Sequence, residues 1–262
     1  MSNRAKVLFI DIETSPMLVY CWGLFDQNIA LNQIKQDWHI ISVAAKWSDE
    51  DEVIQYDLRN GINDKNEKSM LRRIWKLLDE ADVVIGQNSK KFDIKKLNEK
   101  FLKYGFGVPS QYRQEDTLTM SKKFFAPTSH KLEYRSKNLN KKYKKLEHSK
   151  YPGFSLWVAC LEGDQAAWEE MATYNKFDVL STEEYFNILK PWAGGINYNV
   201  YSESLSNACN NCGHTNQLVK RGFRYTSVGK YQAFRCSNCG GWTQSKINLL
   251  TKEKKDSLRE GK

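Results

Sequence analysis

The run Lys6–Ile12 (KVLFIDI) is apolar and β-branched, which reads as a buried strand, and the rest of the chain has to be arranged around it. Val19–Leu24 and His39–Trp47 read as two further strands, with a short fourth over Val53–Asp57. Met70, Leu71, Ile74, Leu77 and Leu78 recur at helical spacing and predict a helix over Glu67–Ala81. Asp82–Gly86 reads as a short buried strand, and Phe92–Tyr104 as an amphipathic helix closed by Gly105 and Gly107. The region 111–163 is mixed, with helical pieces and turn signals at Pro127, Pro152 and Gly153. Asp164–Lys190 reads as a helix, with Asp164 as its N-cap and Pro191 as its stop. Strands first, then helices alternating with strands, predict a mixed α/β sheet and not a doubly wound one. The expected organisation is a domain over 1–190, a connector over 191–208, a small module over 209–250 and a charged tail over 251–262.

The 262 residues suit one α/β domain of about 200 residues with a small appendage. They leave no room for a replicative polymerase beside another domain. Apolar runs such as Val7–Ile10 and His39–Ala45 are too short to span a bilayer, so no membrane partner is expected. The opening Met-Ser-Asn-Arg-Ala-Lys lacks the apolar core of a signal peptide, so the expectation is a cytoplasmic protein with reduced thiols. The net charge of +9 is unevenly placed. Residues 1–208 carry 29 basic and 28 acidic side chains, whereas 209–250 carry six basic and none acidic. Residues 131–150 hold eight basic against two acidic, the composition of a solvated helix face.

Four carboxylates stand out. Asp11 and Glu13 lie two apart on a strand and project from one face. Asp93 follows a strand and opens a helix, and Asp178 shares a helix face with Tyr174 four residues before it. Converging from three segments, they could bind two divalent cations, and hard oxygen ligands suit Mg²⁺ or Mn²⁺. Singly, each pair is common: Asp-x-Glu occurs by chance, and Tyr-x3-Asp is usually a solvated helix face. In combination, Asp11-x-Glu13, Asn88-x3-Phe92-Asp93 and Tyr174-x3-Asp178 resemble the DEDD exonuclease superfamily in its Tyr (DEDDy) variant. That variant includes the proofreading domains of family B DNA polymerases and free-standing, phage-type exonucleases. The position that holds His in the other subfamily is Thr173 here. The resemblance covers roughly residues 5–190.

It implies a ribonuclease H-like fold and a 3′–5′ exonuclease releasing 5′-mononucleotides by a two-metal mechanism. It also implies that Asp11, Glu13, Asp93 and Asp178 hold the two Mg²⁺ or Mn²⁺ ions. Tyr174 would orient the attacking water, since a phenol of pKa about 10 is a poor base at neutral pH. DNA is favoured over RNA by the likeness to proofreading domains, and a separate polymerase or another replication or repair protein is the implied partner. The alternatives are an exoribonuclease and a non-catalytic nucleic-acid-binding or assembly protein on the same fold. Asp116 reads as structural, a cap for a helix over Thr117–Lys123.

Cys209-x2-Cys212 and Cys236-x2-Cys239, separated by 23 residues, form two knuckles, each with a glycine after the second Cys (Gly213, Gly240). Four thiolates suit one structural Zn²⁺, and the array resembles a zinc ribbon; rubredoxin-like iron or disulfides are the alternatives. His214 could compete as a ligand, but four Cys suffice. Cys21 and Cys160 read as buried thiols. Within the module, Phe223, Tyr225, Tyr231, Phe234 and Trp242 alternate with Lys220, Arg221, Arg224, Lys230 and Arg235, a composition suited to bases and phosphates. Some of these aromatics are needed to fill so small a core.

Overall fold

The computed structural model describes residues 5–146, 150–201 and 208–259. The chain divides into two compact units, Lys6–Phe186 and a second that begins at Asn187.

In the first unit, β1 (Val7–Thr14) is the middle strand of a five-stranded sheet. It pairs antiparallel with β4 (Ile40–Trp47), which pairs antiparallel with β5 (Ile54–Asp57). On its other side β1 runs parallel to β6 (Val83–Gly86), which runs parallel to β7 (Arg113–Asp116). A short hairpin, β2 (Leu18–Val19) and β3 (Ile34–Gln36), separates β1 from β4. All eight residues of β4 and Val7–Ile10 of β1 are buried, so burial does not alternate along these stretches.

The parallel pairs need crossovers, and helices supply them: α1 (Asp64–Glu80) before β6 and α2 (Asp93–Lys103) before β7. Asn63 caps α1 by accepting from Asn66 N, which starts that helix three residues before its apolar stripe. Then come α3 (Thr117–Phe124), α4 (Leu132–Leu139), α5 (Ser155–Leu161) and α6 (Gln165–Ala193). The two faces of β1 have different neighbours. Leu8, Ile10 and Ile12 join a core with Leu71, Ile74 and Leu78 of α1 and Leu97 and Phe101 of α2. On the opposite face Phe9 packs edge-on against Phe186 of α6, ring centres 5.8 Å apart. By strand periodicity Asp11 and Glu13 share that α6-facing side. β6 ends on Gly86 because the β1 backbone is close: a Cβ there would stand 2.9 Å from the Ile10 carbonyl oxygen.

The second unit holds an antiparallel sheet in the order β10-β9-β8, built from β8 (Leu218–Thr226), β9 (Gly229–Cys236) and β10 (Trp242–Asn248). A short helix, α7 (Lys252–Ser257), follows.

Three sequence expectations need correction. Val19–Leu24 is not a strand: only Leu18 and Val19 pair, and Tyr20 onward forms a loop in which Asp26 takes a left-handed φ of 51°. Cys21 is exposed in that loop, while Cys160 is buried as expected. Pro191 does not stop α6. A proline removes one helical N–H and need not end a helix near its last turn; here Gly194, at φ 56°, closes it by donating to Lys190 O at 3.2 Å. Among the described residues no helix is long and apolar enough to cross a membrane.

Candidate active site and cysteine site

Carboxylate oxygens of Asp11, Glu13 and Asp178 lie within 4.8 Å of one another. The first two come from the α6-facing side of β1, and the third from the middle of α6. Asp11 is held in place: Asn175 Nδ2 donates to its Oδ2 at 2.6 Å, and Ser42 Oγ of β4 donates to Asn175 Oδ1 at 2.9 Å. Asn175 and Asp178 are both buried, one turn apart on α6. The buried Lys46 of β4, 2.9 Å from Glu183, ties the same helix to the sheet.

Asp93 lies beside this trio but is not part of it. Its Oδ1 accepts from Ile12 N at 3.0 Å, which fixes the start of α2 against β1. Tyr174 shares the site, its ring edge-on to Trp157 with centres 6.4 Å apart. Asp116 is structural as expected, and more extensively than a cap alone. Its oxygens accept from Leu118 N and Thr119 N at the start of α3, and from Asn88 N and Lys90 N in the loop before Asp93.

Three groups at the site escape sequence reasoning. Lys145 donates to Asp178 Oδ2, and its ammonium lies 4.3 Å from the centre of the Tyr174 ring. Trp157 hydrogen-bonds to Glu13. Lys145 belongs to a Lys-rich run in which no single lysine is distinguished by spacing. Asn175 is adjacent to Tyr174 in the motif, and only its contact with Asp11 identifies its role.

Crowded buried carboxylates resist ionisation. Burial, then the charges of Asp178, Asp93 and Glu13, push Asp11 well above the carboxylate range. Burial and Asp178 raise Glu13 to about 8. Burial raises Asp93 to about 7, against the opposing Ile12 N–H. Burial also works against the Lys145 charge, but Asp178 and the Tyr174 hydroxyl outweigh it and hold the ammonium above its usual range. Burial and Asp178 raise Tyr174 to about 12, so its hydroxyl stays protonated. The Lys145 ammonium on Asp178 offsets part of this crowded negative charge. An all-oxygen donor set of this kind suits a hard divalent cation.

In the second unit, sulfurs of Cys209, Cys212, Cys236 and Cys239 also lie within 4.8 Å of one another. Cys209–Cys239 and Cys212–Cys236 sulfurs are 3.7 and 3.8 Å apart. These separations exclude disulfides (about 2.0 Å). They match the edge of a tetrahedron with metal–sulfur bonds of about 2.3 Å, as for zinc. Each knuckle turns on its glycine, Gly213 at φ 70° and Gly240 at φ 74°, whose N–H donates to the first Cys carbonyl at 2.8 and 2.9 Å. Burial raises Cys209 and Cys239. At Cys236 burial acts the same way, but the N–H groups of Cys239 and Asn238 outweigh it and favour the thiolate. His214 is outside the group, its Nδ1 3.2 Å from the Cys212 carbonyl. The four-sulfur cluster at one end of a three-stranded sheet is compatible with a ribbon.

On β8, Lys220, Arg221, Phe223, Arg224 and Tyr225 are all exposed. Across the ladder Tyr225 pairs with Lys230 and Arg224 with Tyr231. The Lys230 ammonium lies 4.0 Å from the Phe223 ring centre and 5.9 Å from that of Tyr225. Tyr231 and Phe234 are half-buried, Trp242 is exposed and Arg235 is exposed. Of these aromatics, Tyr231 and Phe234 are the more covered.

A mixed sheet whose central strand carries acids facing a long helix supports a nuclease of ribonuclease H-like fold. The family model for the RNase_H superfamily matches residues 8–190, and the chain belongs to that superfamily. Among solved structures, the family B DNA polymerase from the hyperthermophilic archaeon Pyrobaculum calidifontis is similar, with a TM-score of 0.53 and 17% identity over 87% of this chain. That likeness is one of fold, and it spans 32% of the polymerase's length. A search of curated proteins gave no match.

Proposed function

We propose that this chain is a divalent-metal-dependent 3′–5′ exonuclease that shortens DNA, preferentially single-stranded 3′ ends, to 5′-mononucleotides. The observation that carries this reading is the convergence of Asp11, Glu13 and Asp178 oxygens within 4.8 Å, with Asp93 and Tyr174 beside them. Asp11, Glu13 and Asp178 would hold one ion, and Asp93 with Asp11 a second, Mg²⁺ or Mn²⁺ in each case. Such ions, when bound, supply a nucleophile at neutral pH and offset charge on the leaving oxygen. The protein's own part is positional. Asn175 fixes the direction of Asp11, the Ile12 N–H fixes Asp93, and Tyr174, protonated throughout the physiological range, presents a hydroxyl to the attacking water.

End-labelled single-stranded DNA, duplex DNA and RNA, incubated with Mg²⁺, Mn²⁺ or EDTA, test the reading. A metal-dependent ladder shortening one nucleotide at a time from the 3′ end is expected. Internal cleavage, or degradation from the 5′ end, rejects it. Tyr174→Phe should lower turnover about tenfold with the metal requirement unchanged, because only water orientation is lost. A wild-type rate would return Tyr174 to a packing role.

The raised carboxyls make metal binding pH-dependent. A carboxyl raised in the folded state keeps protons that the unfolded chain has lost. The metal-free protein therefore loses stability as pH rises from the ordinary Glu value of 4.5 toward the folded value of about 8. A bound divalent ion must displace those protons, so it binds better as they leave. Mg²⁺ should raise the melting temperature more at about pH 9 than at about pH 6. Equal shifts at both pH values would show that these acids do not take the ion.

The cysteine unit is proposed to be a zinc ribbon that grips the nucleic-acid backbone. Replacing Arg221, Arg224 and Lys230 by Gln should flatten the log–log salt dependence of single-strand binding by about 2, at about 0.7 per phosphate. An unchanged slope in fluorescence anisotropy would assign that basic face to a protein partner such as a polymerase or another replication or repair protein.

A further inference from the structure

After β1 the chain makes an excursion that buries almost nothing. Ser15 is the last residue fixed to the sheet: its N–H donates to His39 O at 2.8 Å, and its Oγ accepts from His39 N at 2.9 Å. The hairpin β2–β3 follows, and its neck is tied by Tyr20 N to Gln33 O and Gln33 Nε2 to Tyr20 O, both 2.9 Å. Ala30 N donates to Gln33 Oε1 at 2.8 Å. The neck of the excursion is thus held in place, while the large side chains beyond it are left in solvent. Trp22 is 98% exposed, Leu24 90% and Phe25 83%, with Tyr20 exposed beside them. Soluble proteins seldom leave such side chains together in water without a partner.

The position of this patch narrows the choice of partner. β1 carries Asp11 and Glu13 in its second half, and the hairpin starts at Leu18, five residues on from Glu13. At most about 18 Å of chain separates them. A cavity of about 530 Å³ lies at the hairpin's foot, between Met17 and Leu18 on one side and Phe154, Val158 and Leu161 of the α5 region on the other. The same helix carries Trp157, which bonds Glu13 and meets Tyr174 edge-on. A mainly apolar track, with Arg59 and Glu162 also in its lining, therefore begins close to the carboxylates, with α5 as a shared wall. From Thr14 to Ile34 the only charged residue is Asp26, so this surface is built for contact with uncharged rings and not for ion pairs. Lys35, its ammonium 6.0 Å from the Tyr20 ring centre, supplies one cation at the margin.

We propose that Tyr20, Trp22 and Phe25 form a stacking platform for the unpaired bases that adjoin the terminal linkage held at the carboxylates. The platform rests on the nuclease reading above and names what that site selects. Base faces are available for stacking on aromatic rings in single strands and frayed ends, and are covered in an intact duplex. Stacking is indifferent to sequence, because every base has a π-face.

The test uses the full-length protein with Trp22→Ala, Trp22→Phe and the double variant Tyr20→Ala/Phe25→Ala. These side chains make little packing contact, so circular dichroism should be unchanged. Two substrates are compared: a single-stranded oligothymidylate, and thymidine 5′-phosphate p-nitrophenyl ester, a single nucleotide too short to reach the hairpin. Trp22→Ala should raise KM on the oligonucleotide about tenfold, with kcat and ester hydrolysis near wild type, and Trp22→Phe should recover most of the loss. An unchanged oligonucleotide KM, with the ester still hydrolysed, overturns the platform alone. A wild-type protein that sediments as a dimer while Trp22→Ala is a monomer also overturns it, by assigning the patch to a second copy of the chain. A wild-type protein inert on both substrates overturns the nuclease reading itself.

Discussion

Asp11→Asn should reduce metal-dependent hydrolysis by well over about a hundredfold, and it should do so without weakening the fold. Removing a group that merely orients a metal ligand costs about 10–100-fold, so loss of the ligand itself should exceed that range. The amide keeps the size of the carboxylate and an oxygen for Asn175 Nδ2, which now reaches Asp11 Oδ2 at 2.6 Å. It also removes one of several acids whose burial, and then whose mutual repulsion, raises the Asp11, Glu13 and Asp93 carboxyls. The metal-free variant should therefore melt no lower than the metal-free wild type, and higher at alkaline pH, where the wild-type acids are forced to ionise. Asn175→Ala should fall between the two, with a loss of about 10–100-fold. Turnover on a labelled strand and thermal unfolding in EDTA measure the two quantities. Full activity in purified Asp11→Asn, contaminating nucleases excluded, would remove Asp11 from the site. A lower melting temperature would mean that it serves the fold.

Removal of metal from the cysteine unit should have an equally large effect on structure. The unit is small for a hydrophobic core, and most of β8 is exposed along its length. Sites of four thiolates contribute about 10–16 kcal/mol of apparent binding free energy at neutral pH, more than so small a sheet can supply by burial. One zinc per chain is expected by elemental analysis, with little or none in Cys209→Ser or Cys239→Ser. Chelation should abolish the amide-exchange protection of β8–β10 while leaving β1, β4 and β6 protected. Visible absorption from bound iron would reassign the metal. Retained protection in a metal-free sample would show that the sulfurs need no ion, contrary to the tetrahedral spacing of 3.7 and 3.8 Å.

What could be read from the sequence follows how locally each feature is encoded. β1 and its two acids are legible because a strand's period of two places Asp11 and Glu13 on one face without reference to anything else. The cysteine knuckles are legible for the same reason, since spacing alone sets their geometry. Asp116 was legible as a cap, but its hold on Asn88 and Lys90 depends on β6 and β7 being neighbours. β7 itself, Arg-Gln-Glu-Asp, is polar and has no strand pattern; it is a strand because β6 offers it an edge. Val19–Leu24 has the opposite character: its composition favours a strand, but beyond Val19 no partner is present to pair with it. Lys145 and Asn175 were hidden because their importance lies in what they touch across the fold, and one lysine among eight basic residues in 131–150 carries no local sign of it.

The contact between Lys145 and Asp178 has a consequence for how ions enter. An ammonium already rests on one of the acids that a divalent ion would take, so loading is an exchange of one cation for another and not the filling of a void. Two positive groups cannot share Asp178 without repulsion, and Lys145 is carried on the stretch between α4 and α5, not on the sheet. Ion affinity and the position of that stretch are then thermodynamically linked. Whatever draws Lys145 away from Asp178, a phosphate of the incoming strand included, tightens ion binding by the same factor by which the ion tightens it.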